Sequence, residues 1–154
     1  MGSIHARDSV LTKSFKVRIE DKPFYNQWIV RNLADAKSKL LSALTVMEYT
    51  INYEPQAYVK DLYSTAEDLQ PIYDSMVGNV DLLNKKDEDY AKRIRKQFAE
   101  ITSRMESVIG SLKLATEDWN DEGQYLEDDT MRSETIDFVK KTVGMINTLT
   151  RKVN

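Results

Sequence analysis

The stretch AKRIRKQFAEITSRMESVIGSLKLATEDW, residues 91–119, decides the fold class of this chain. Its apolar residues recur at alternating steps of three and four, and no step breaks the alternation. Such spacing places side chains on one face of an α-helix. The resulting apolar stripe consists of Ala91, Ile94, Phe98, Ile101, Met105, Val108, Leu112, Ala115 and Trp119. The stretch therefore predicts a long amphipathic helix that buries one face.

Three other segments carry the same three-and-four spacing. The first contains Val30, Leu33, Lys37, Leu40, Leu44, Met47 and Ile51. The second contains Val59, Leu62, Ala66, Leu69, Tyr73, Met76, Val80 and Leu83. The third contains Ile136, Val139, Val143, Ile146, Thr150 and Val153. Lys37 is the one charged member of these stripes, and we expect it to extend its ammonium group to solvent.

Proline and charge positions indicate the helix boundaries. Pro23 and Pro55 suit the first turn of a helix, and Asp87 suits a capped N-terminus. The predicted helices span about residues 23–52, 55–84, 87–119 and 130–153. Because only a few residues link the first three helices, these neighbours should run antiparallel. The sequence thus predicts an all-α protein, an up-down-up-down four-helix bundle over residues 23–154 with an extended N-terminal arm over residues 1–22.

Pro71 lies inside the second predicted helix, where a proline costs about 3 kcal/mol. The apolar stripe keeps its phase across this proline, and burial contributes roughly 1.5 to 3 kcal/mol for each large side chain. We therefore predict one helix, kinked at Pro71, rather than two. The alternative is a helix that ends at Gln70, but glutamine is a poor capping residue for a new helix.

The segment SFKVRIED, residues 14–21, follows a different period. Phe15, Val17 and Ile19 alternate with charged residues, as in a half-buried β-strand. A lone strand cannot satisfy its backbone hydrogen bonds, so it would need a sheet edge from another copy or another protein. We predict these three residues as partner-binding residues. The alternative is an extended arm whose apolar residues lie over the end of the bundle.

Composition limits the function classes. The chain has 22 basic and 25 acidic residues for a formal net charge of -3, which gives no strong attraction to nucleic acid or an anionic membrane. It contains no cysteine, and no apolar run approaches the roughly 20 residues that span a bilayer. The N-terminus lacks the apolar stretch of a secretory signal, so we expect an intracellular protein without a membrane partner.

Residues for catalysis are scarce. His5 is the only histidine and lies in the arm, so the chain has neither a Ser-His-Asp arrangement in the bundle nor the Glu-x-x-His pairs of di-metal bundles. No acidic residue falls on an apolar stripe, and the glycines are scattered rather than grouped in a phosphate loop. We therefore expect no enzyme activity, no cofactor, no resident metal and no small-molecule substrate.

The acidic stretch DWNDEGQYLEDD, residues 118–129, partly matches a calcium-binding loop. Asp118, Asn120 and Glu122 take the first, third and fifth places, and Gly123 takes the sixth. The ninth residue, however, offers no side-chain oxygen, and Asp129 is shorter than the glutamate expected at the twelfth place. We interpret the stretch as a loop whose last acids favour the N-terminus of the next helix, with calcium binding as the alternative.

Two further clusters are candidate contact sites. The tyrosine cluster lies around the first predicted interhelical turn and consists of Tyr49, Tyr53, Tyr58 and Tyr63. Because tyrosine combines apolar area with a polar tip, this cluster either binds a partner or packs at the end of the bundle. The basic cluster lies at the start of the third helix and consists of Lys85, Lys86, Lys92, Arg93, Arg95 and Lys96. Nearby acids favour ordinary helix-surface pairing there over contact with phosphates.

These features favour a noncatalytic helical bundle that acts through protein–protein contacts. We expect an assembly or structural component with a protein partner or a second copy, in which the N-terminal arm docks on a neighbouring subunit. The alternatives are a helical chaperone or adaptor, a nucleic-acid-associated bundle that uses the basic cluster, and a calcium-responsive binder.

Overall fold

The computed structural model describes residues 22–49, 55–117 and 129–154. Within these ranges the chain forms four α-helices and no strand. The helices are α1 (Asn26–Tyr49), α2 (Pro55–Asn84), α3 (Asp89–Glu117) and α4 (Asp129–Val153). The predicted all-α four-helix arrangement is therefore confirmed. The division into an arm and a bundle domain stays a prediction, because the arm before Lys22 lies outside the described residues.

The helix ends differ from the predicted ones by a few residues. α2 has the predicted bounds, whereas α1 begins at Asn26 because Pro23 forms a turn in which its carbonyl accepts the Asn26 amide at 3.0 Å. α3 begins at Asp89 instead of Asp87, since the chain first closes the end of α2 by donating the Lys85 amide to the Leu82 carbonyl. Local turns at helix ends therefore account for the shifts in α1 and α3.

α2 continues through Pro71 as a single helix. The two-helix alternative is therefore wrong. Leu69 and Met76 are both fully buried on either side of the proline, so apolar packing holds both halves in one element. The kink at Pro71 and the up-down-up-down order stay predictions.

Each helix packs against two others: α2 against α1 and α3, and α4 against the same two helices. Side-chain pairs fix the alignment of α1 with α2. Asn32 meets Ser75, and Lys39 lies 3.5 Å from Asp68, so a later position on α1 meets an earlier position on α2. The α1–α4 pairs follow the same rule, because the α1 start bonds the end of α4 and Glu48 pairs with Lys140 at 3.4 Å. These pairs fix the lengthwise alignment of α1 with α2 and of α1 with α4.

The predicted stripe of α3 is confirmed, because every member that the structure describes is buried. The buried face of α2 also includes most predicted positions, with Val59, Tyr73 and Val80 partly buried. Apolar side chains of all four helices join in one core. Burial of this face on each helix is what holds the arrangement together.

The predicted stripe of α1 is wrong at alternate positions. The buried residues there are Ile29, Leu33, Ala36, Leu40, Ala43 and Met47. Val30, Lys37 and Leu44 are only partly buried, one residue away from the true stripe. Alanine carries little apolar area, so the larger flanking side chains outweighed Ala36 and Ala43 in the sequence pattern. Lys37 is therefore a flank residue and not a member of the core stripe.

The predicted stripe of α4 shifts in the same way. Thr142 and Leu149 are buried, whereas Val143 and Thr150 are partly buried. A threonine is tolerated in the core because its hydroxyl donates to the Phe138 carbonyl at 2.8 Å and accepts a hydrogen bond from α3. A buried polar residue that finds its partners in the fold cannot be recognised from an apolar pattern.

Candidate protein-contact surfaces

A groove with a volume of about 490 Å³ lies between α1 and α2. We call it the α1–α2 groove. Its lining residues are Trp28, Arg31, Asn32, Asp35, Pro71, Ile72, Ser75 and Asn79. The volume lies within the range of about 300–1,000 Å³ that is common for ligand sites. The groove is mixed in character, with apolar surface from Trp28, Pro71 and Ile72 beside amide and hydroxyl groups.

A row of hydrogen bonds forms the polar part of the α1–α2 groove. Asn32, which is buried, donates its side-chain amide to the Ser75 hydroxyl oxygen at 3.0 Å. Its carbonyl oxygen accepts a hydrogen bond from the Asn79 amide at 2.6 Å. Because the Ser75 oxygen is the acceptor here, its own hydrogen remains for donation to a second group. The row aligns α1 with α2 and presents polar groups along the groove.

Two aromatic side chains lie in solvent at the start of α1. The Phe24 side chain is 78% exposed and that of Trp28 is 45% exposed. Their ring centroids are 5.7 Å apart and the ring planes cross at 88°, an edge-to-face contact. Other exposed apolar side chains occur on α1, α2 and α3, at Leu41, Tyr63, Val77 and Leu114. The aromatic pair is the surface feature that most resembles the centre of a protein interface, where aromatic residues are enriched.

The predicted arm residues Phe15, Val17 and Ile19 lie outside the described residues. The structure does describe the position where the arm joins the bundle. Lys22 donates its ammonium to the Asn154 carbonyl, and Asn26 donates its side-chain amide to the Val153 carbonyl at 3.1 Å. Both bonds satisfy carbonyl groups at the end of α4. The arm therefore joins the bundle on the side of α1 that faces α4.

The predicted tyrosine cluster divides between the core and the surface. Tyr53 and the side chain of Tyr49 lie outside the described residues. Tyr58 is 1% exposed and belongs to the core, whereas Tyr63 is 48% exposed. Of the four predicted residues, Tyr63 is thus the one that the structure describes as accessible to a partner.

The basic cluster at the start of α3 is partly engaged within the bundle. Arg95 donates to the Lys86 carbonyl at 2.9 Å, in the link between α2 and α3. The Lys86 ammonium lies 5.7 Å from the centre of the Tyr25 ring, and Arg93 donates to the Asp89 carbonyl at 3.4 Å. Lys85, Lys92 and Lys96 are exposed among acidic residues. The contacts of Lys86, Arg93 and Arg95 give these three residues structural roles at the junction of α2 and α3.

Tyr25 connects this junction to α1. Its hydroxyl donates to a Glu88 carboxylate oxygen at 3.2 Å, and its ring lies 6.2 Å from that of Tyr90. Burial, together with the charge of Glu88 and this hydrogen bond, raises the pKa of Tyr25 to about 12. Burial also raises the pKa of Tyr90. Both phenols therefore stay protonated across the physiological pH range.

Polar groups between α3 and α4 satisfy one another. Arg104 donates to the Thr142 hydroxyl at 2.8 Å and to the Phe138 carbonyl at 3.0 Å. Its guanidinium carbon also lies 3.7 Å from the centre of the Phe138 ring, as in a cation–π contact. The arrangement ties α3 to α4. Among the residues that the structure describes, no three His, Asp or Glu side chains come together in a way that would hold a metal ion.

None of the helices in the described ranges combines the length and apolar character needed to cross a membrane. The acidic stretch proposed as a loop or a calcium site, residues 118–128, lies outside the described residues, and the backbone of Asp129 begins α4. Comparison of the chain with protein-family models, with curated proteins and with solved structures finds no match in any of the three.

The sequence pattern did not identify the α1–α2 groove. Its main apolar residue, Trp28, falls outside both the predicted and the observed stripe of α1. A large aromatic residue outside a helical stripe is the sequence signal that could have identified it. The polar row needs Asn32 opposite Ser75, and that pairing depends on the alignment of two helices, which spacing within one helix does not specify.

Proposed function

We propose that this protein is a noncatalytic helical bundle that acts through protein–protein contacts, as an assembly or structural component whose N-terminal arm docks on a neighbouring subunit. The observation that carries the proposal is the exposed aromatic pair, Phe24 and Trp28, beside the position where the arm joins the bundle. Aromatic residues often supply much of the binding energy of protein interfaces, and exposed pairs of this kind favour a role in contact.

The sequence of the arm supports the same proposal. In an extended conformation, Phe15, Val17 and Ile19 would form one apolar side of the arm, and the intervening lysine and arginine would keep the other side soluble. Contact with a neighbour would bury this apolar side together with part of the aromatic pair. Each buried apolar side chain contributes roughly 1.5 to 3 kcal/mol before the entropy cost of ordering the arm. Because only three apolar side chains of the arm would be buried, the contact suits weak or cooperative assembly.

Size-exclusion chromatography with light scattering tests this function. The full chain is compared with a variant that lacks residues 1–22, at the same set of concentrations. We expect the full chain to form a dimer or larger assembly and the truncated chain to remain monomeric. If both variants are monomeric at every concentration and bind the same partners, the arm has no docking role. Far-ultraviolet circular dichroism of the truncated chain confirms that its helices are intact.

A nucleic-acid-associated bundle is the second candidate, supported by the exposed side chains of Lys85, Lys92 and Lys96. Binding through phosphates would weaken steeply as salt increases, since each neutralised phosphate releases counterions. Titration of a duplex of random sequence at 50 and 200 mM salt tests this candidate. A Lys92→Gln, Lys96→Gln variant should then bind more weakly and with a shallower salt dependence. Binding that is absent at low salt, or unchanged in the variant, rules out this role for the basic cluster.

A further inference from the structure

The described residues offer the arm a receptor other than a sheet edge. The described residues contain no strand, so within those ranges a neighbouring bundle offers no edge to which a strand could be added. An extended segment can instead lie in a groove between two helices when side chains there supply hydrogen-bond partners for its backbone. The α1–α2 groove offers hydrogen-bond partners in the polar row of Asn32, Ser75 and Asn79. It also offers apolar surface from Trp28 and Pro71 beside this row.

The dimensions of the groove match those of the arm segment. From Trp28 to Asp35 the helix rises about 10 Å at 1.5 Å per residue. From Phe15 to Ile19 an extended chain spans about 13 Å at 3.3 Å per residue. The apolar side of the segment would face Trp28 and Ile72, and its backbone would face the Ser75 hydroxyl. The three apolar residues of the arm therefore fit the length of the groove.

Charge favours the same pairing. Residues 9–19 of the arm contain three basic residues and no acid. α2, which forms one wall of the groove, carries five carboxylates against one lysine. Asp74 on this helix is exposed three residues beyond Pro71. On the α1 wall Arg31 and Asp35 lie 3.9 Å apart and offset each other, so the net negative charge comes from α2. Opposite charges on the two surfaces would steer the arm toward this wall and discourage contact between two α2 surfaces.

We propose that residues 13–19 of the arm dock in the α1–α2 groove of a second copy of this chain. This inference rests on the proposed function and specifies where the arm binds. A second copy fits better than the arm of the same chain because Lys22 is bonded to the end of α4, whereas the groove lies between α1 and α2. Ile19 lies three residues before Lys22 and reaches at most about 10 Å, roughly the width of one helix. The short link between Lys22 and Ile19 therefore disfavours docking of the segment in the groove of its own chain.

Disulfide trapping in the full chain tests the docking site. The protein has no cysteine, so introduced thiols are the only ones present. One sample carries Val17→Cys and a second, tagged sample carries Arg31→Cys, an exposed position that lines the groove. A matched sample carries Ser111→Cys, an exposed position on α3. We expect the mixed disulfide between Val17→Cys and Arg31→Cys to form at least about tenfold faster than that with Ser111→Cys.

A second measurement uses the dissociation constant of the assembly. Trp28→Ala should raise this constant about thirtyfold, as expected when an aromatic residue at the centre of an interface is removed. Leu114→Ala serves as the matched control, because Leu114 is 49% exposed but lies on α3. It should change the dissociation constant by less than about twofold. Circular dichroism verifies that both variants keep their helices.

The outcomes separate the docking site from the proposed function. Arm-dependent assembly with equal disulfide rates, or with no effect of Trp28→Ala, overturns the groove assignment and leaves the proposed function intact. A Val17→Cys, Arg31→Cys double variant that closes its disulfide within a monomer at high dilution shows that the arm binds its own chain and overturns the assignment to a second copy. A full chain without arm-dependent assembly overturns both.

Discussion

Helices α1 and α3 each bury one apolar face, but the residues on the two buried faces differ in size. The stripe of α3 contains large residues such as Phe98, Met105 and Leu112, and all three are buried. The stripe of α1 includes Ala36 and Ala43, which have little apolar area of their own. The comparison shows that a helix position is buried because a neighbouring helix packs against it. For small residues such as alanine, side-chain size is therefore a poor guide to burial.

The largest effect should come from the α3 stripe. Phe98→Ala removes a fully buried ring and leaves a cavity, which should lower the free energy of unfolding by about 3–5 kcal/mol. Phe24→Ala is the control, because Phe24 is largely exposed and its removal should cost within about 0.5 kcal/mol. Urea denaturation of both variants measures the difference. Equal losses in the two variants would contradict the assigned core.

Substitutions that test which face of α1 is buried should have the next largest effect on stability. Ala36→Leu adds bulk to a fully buried position and should destabilise the protein by about 1–3 kcal/mol. Lys37→Leu changes a partly buried flank and should alter stability by less than about 1 kcal/mol. Thermal unfolding of the pair tests the comparison with α3. A reversed order, with Lys37→Leu strongly stabilising and Ala36→Leu neutral, would show that the sequence-based stripe was right.

The polar row tests how much the side-chain hydrogen bonds between α1 and α2 contribute to stability. Asn32→Ala removes the amide that bonds both Ser75 and Asn79, so it should cost about 1–2 kcal/mol in the free energy of unfolding. Thr45→Ala is the matched control on the same helix, since its exposed hydroxyl bonds only the backbone carbonyl of Leu41 in the described contacts. Denaturant titration compares the two. A loss no larger for Asn32→Ala than for Thr45→Ala would mean that the row contributes little.

The smallest effect at neutral pH should come from the contact between the start of α1 and the start of α3. Tyr25→Phe removes the hydrogen bond to Glu88 and should cost about 1 kcal/mol or less. The pKa of Tyr25 is raised from 10.0 to about 12, so the folded state favours the protonated phenol. This stabilisation is present below pH 10 and is lost as the pH rises toward 12.

The alkaline titration of stability checks this assignment. Between pH 10 and 12 the unmodified protein should lose more stability than Tyr25→Phe, which cannot ionise at this position. Tyr63→Phe is a useful control because Tyr63 is exposed on α2. Parallel stability curves for the unmodified protein and for Tyr25→Phe would contradict the burial of the Tyr25 phenol against Glu88.

Sequence reasoning was most successful where a property belongs to one helix. The bounds of α2, its continuity through Pro71 and the stripe of α3 follow from local spacing and from the burial of large side chains. It was least successful where a property belongs to two helices. The core position of Ala36, the bonded Thr142 and the row at Asn32 each depend on a partner in another element.

The same distinction applies to the candidate contact sites. The pattern around Tyr58 correctly marked an amphipathic residue, but only the packed fold shows that its side chain lies in the core. Neither Trp28 nor Phe24 fits the helical period of the predicted α1 stripe, so the apolar pattern does not indicate a role for them. Their exposure becomes visible only when the core of α1 is known. A candidate surface site can thus be recognised only after the buried face of its helix is known.

Hydrogen exchange of the full chain at increasing concentration tests the central claim, that the protein acts by docking its arm on a neighbouring copy. If the arm docks, the amides of residues 13–19 will gain protection as the chain associates, and the side of α1 and α2 around Trp28 and Pro71 will gain protection in parallel. Arm amides that exchange at the rate of an unstructured peptide at every concentration, while the bundle stays protected, would contradict the claim.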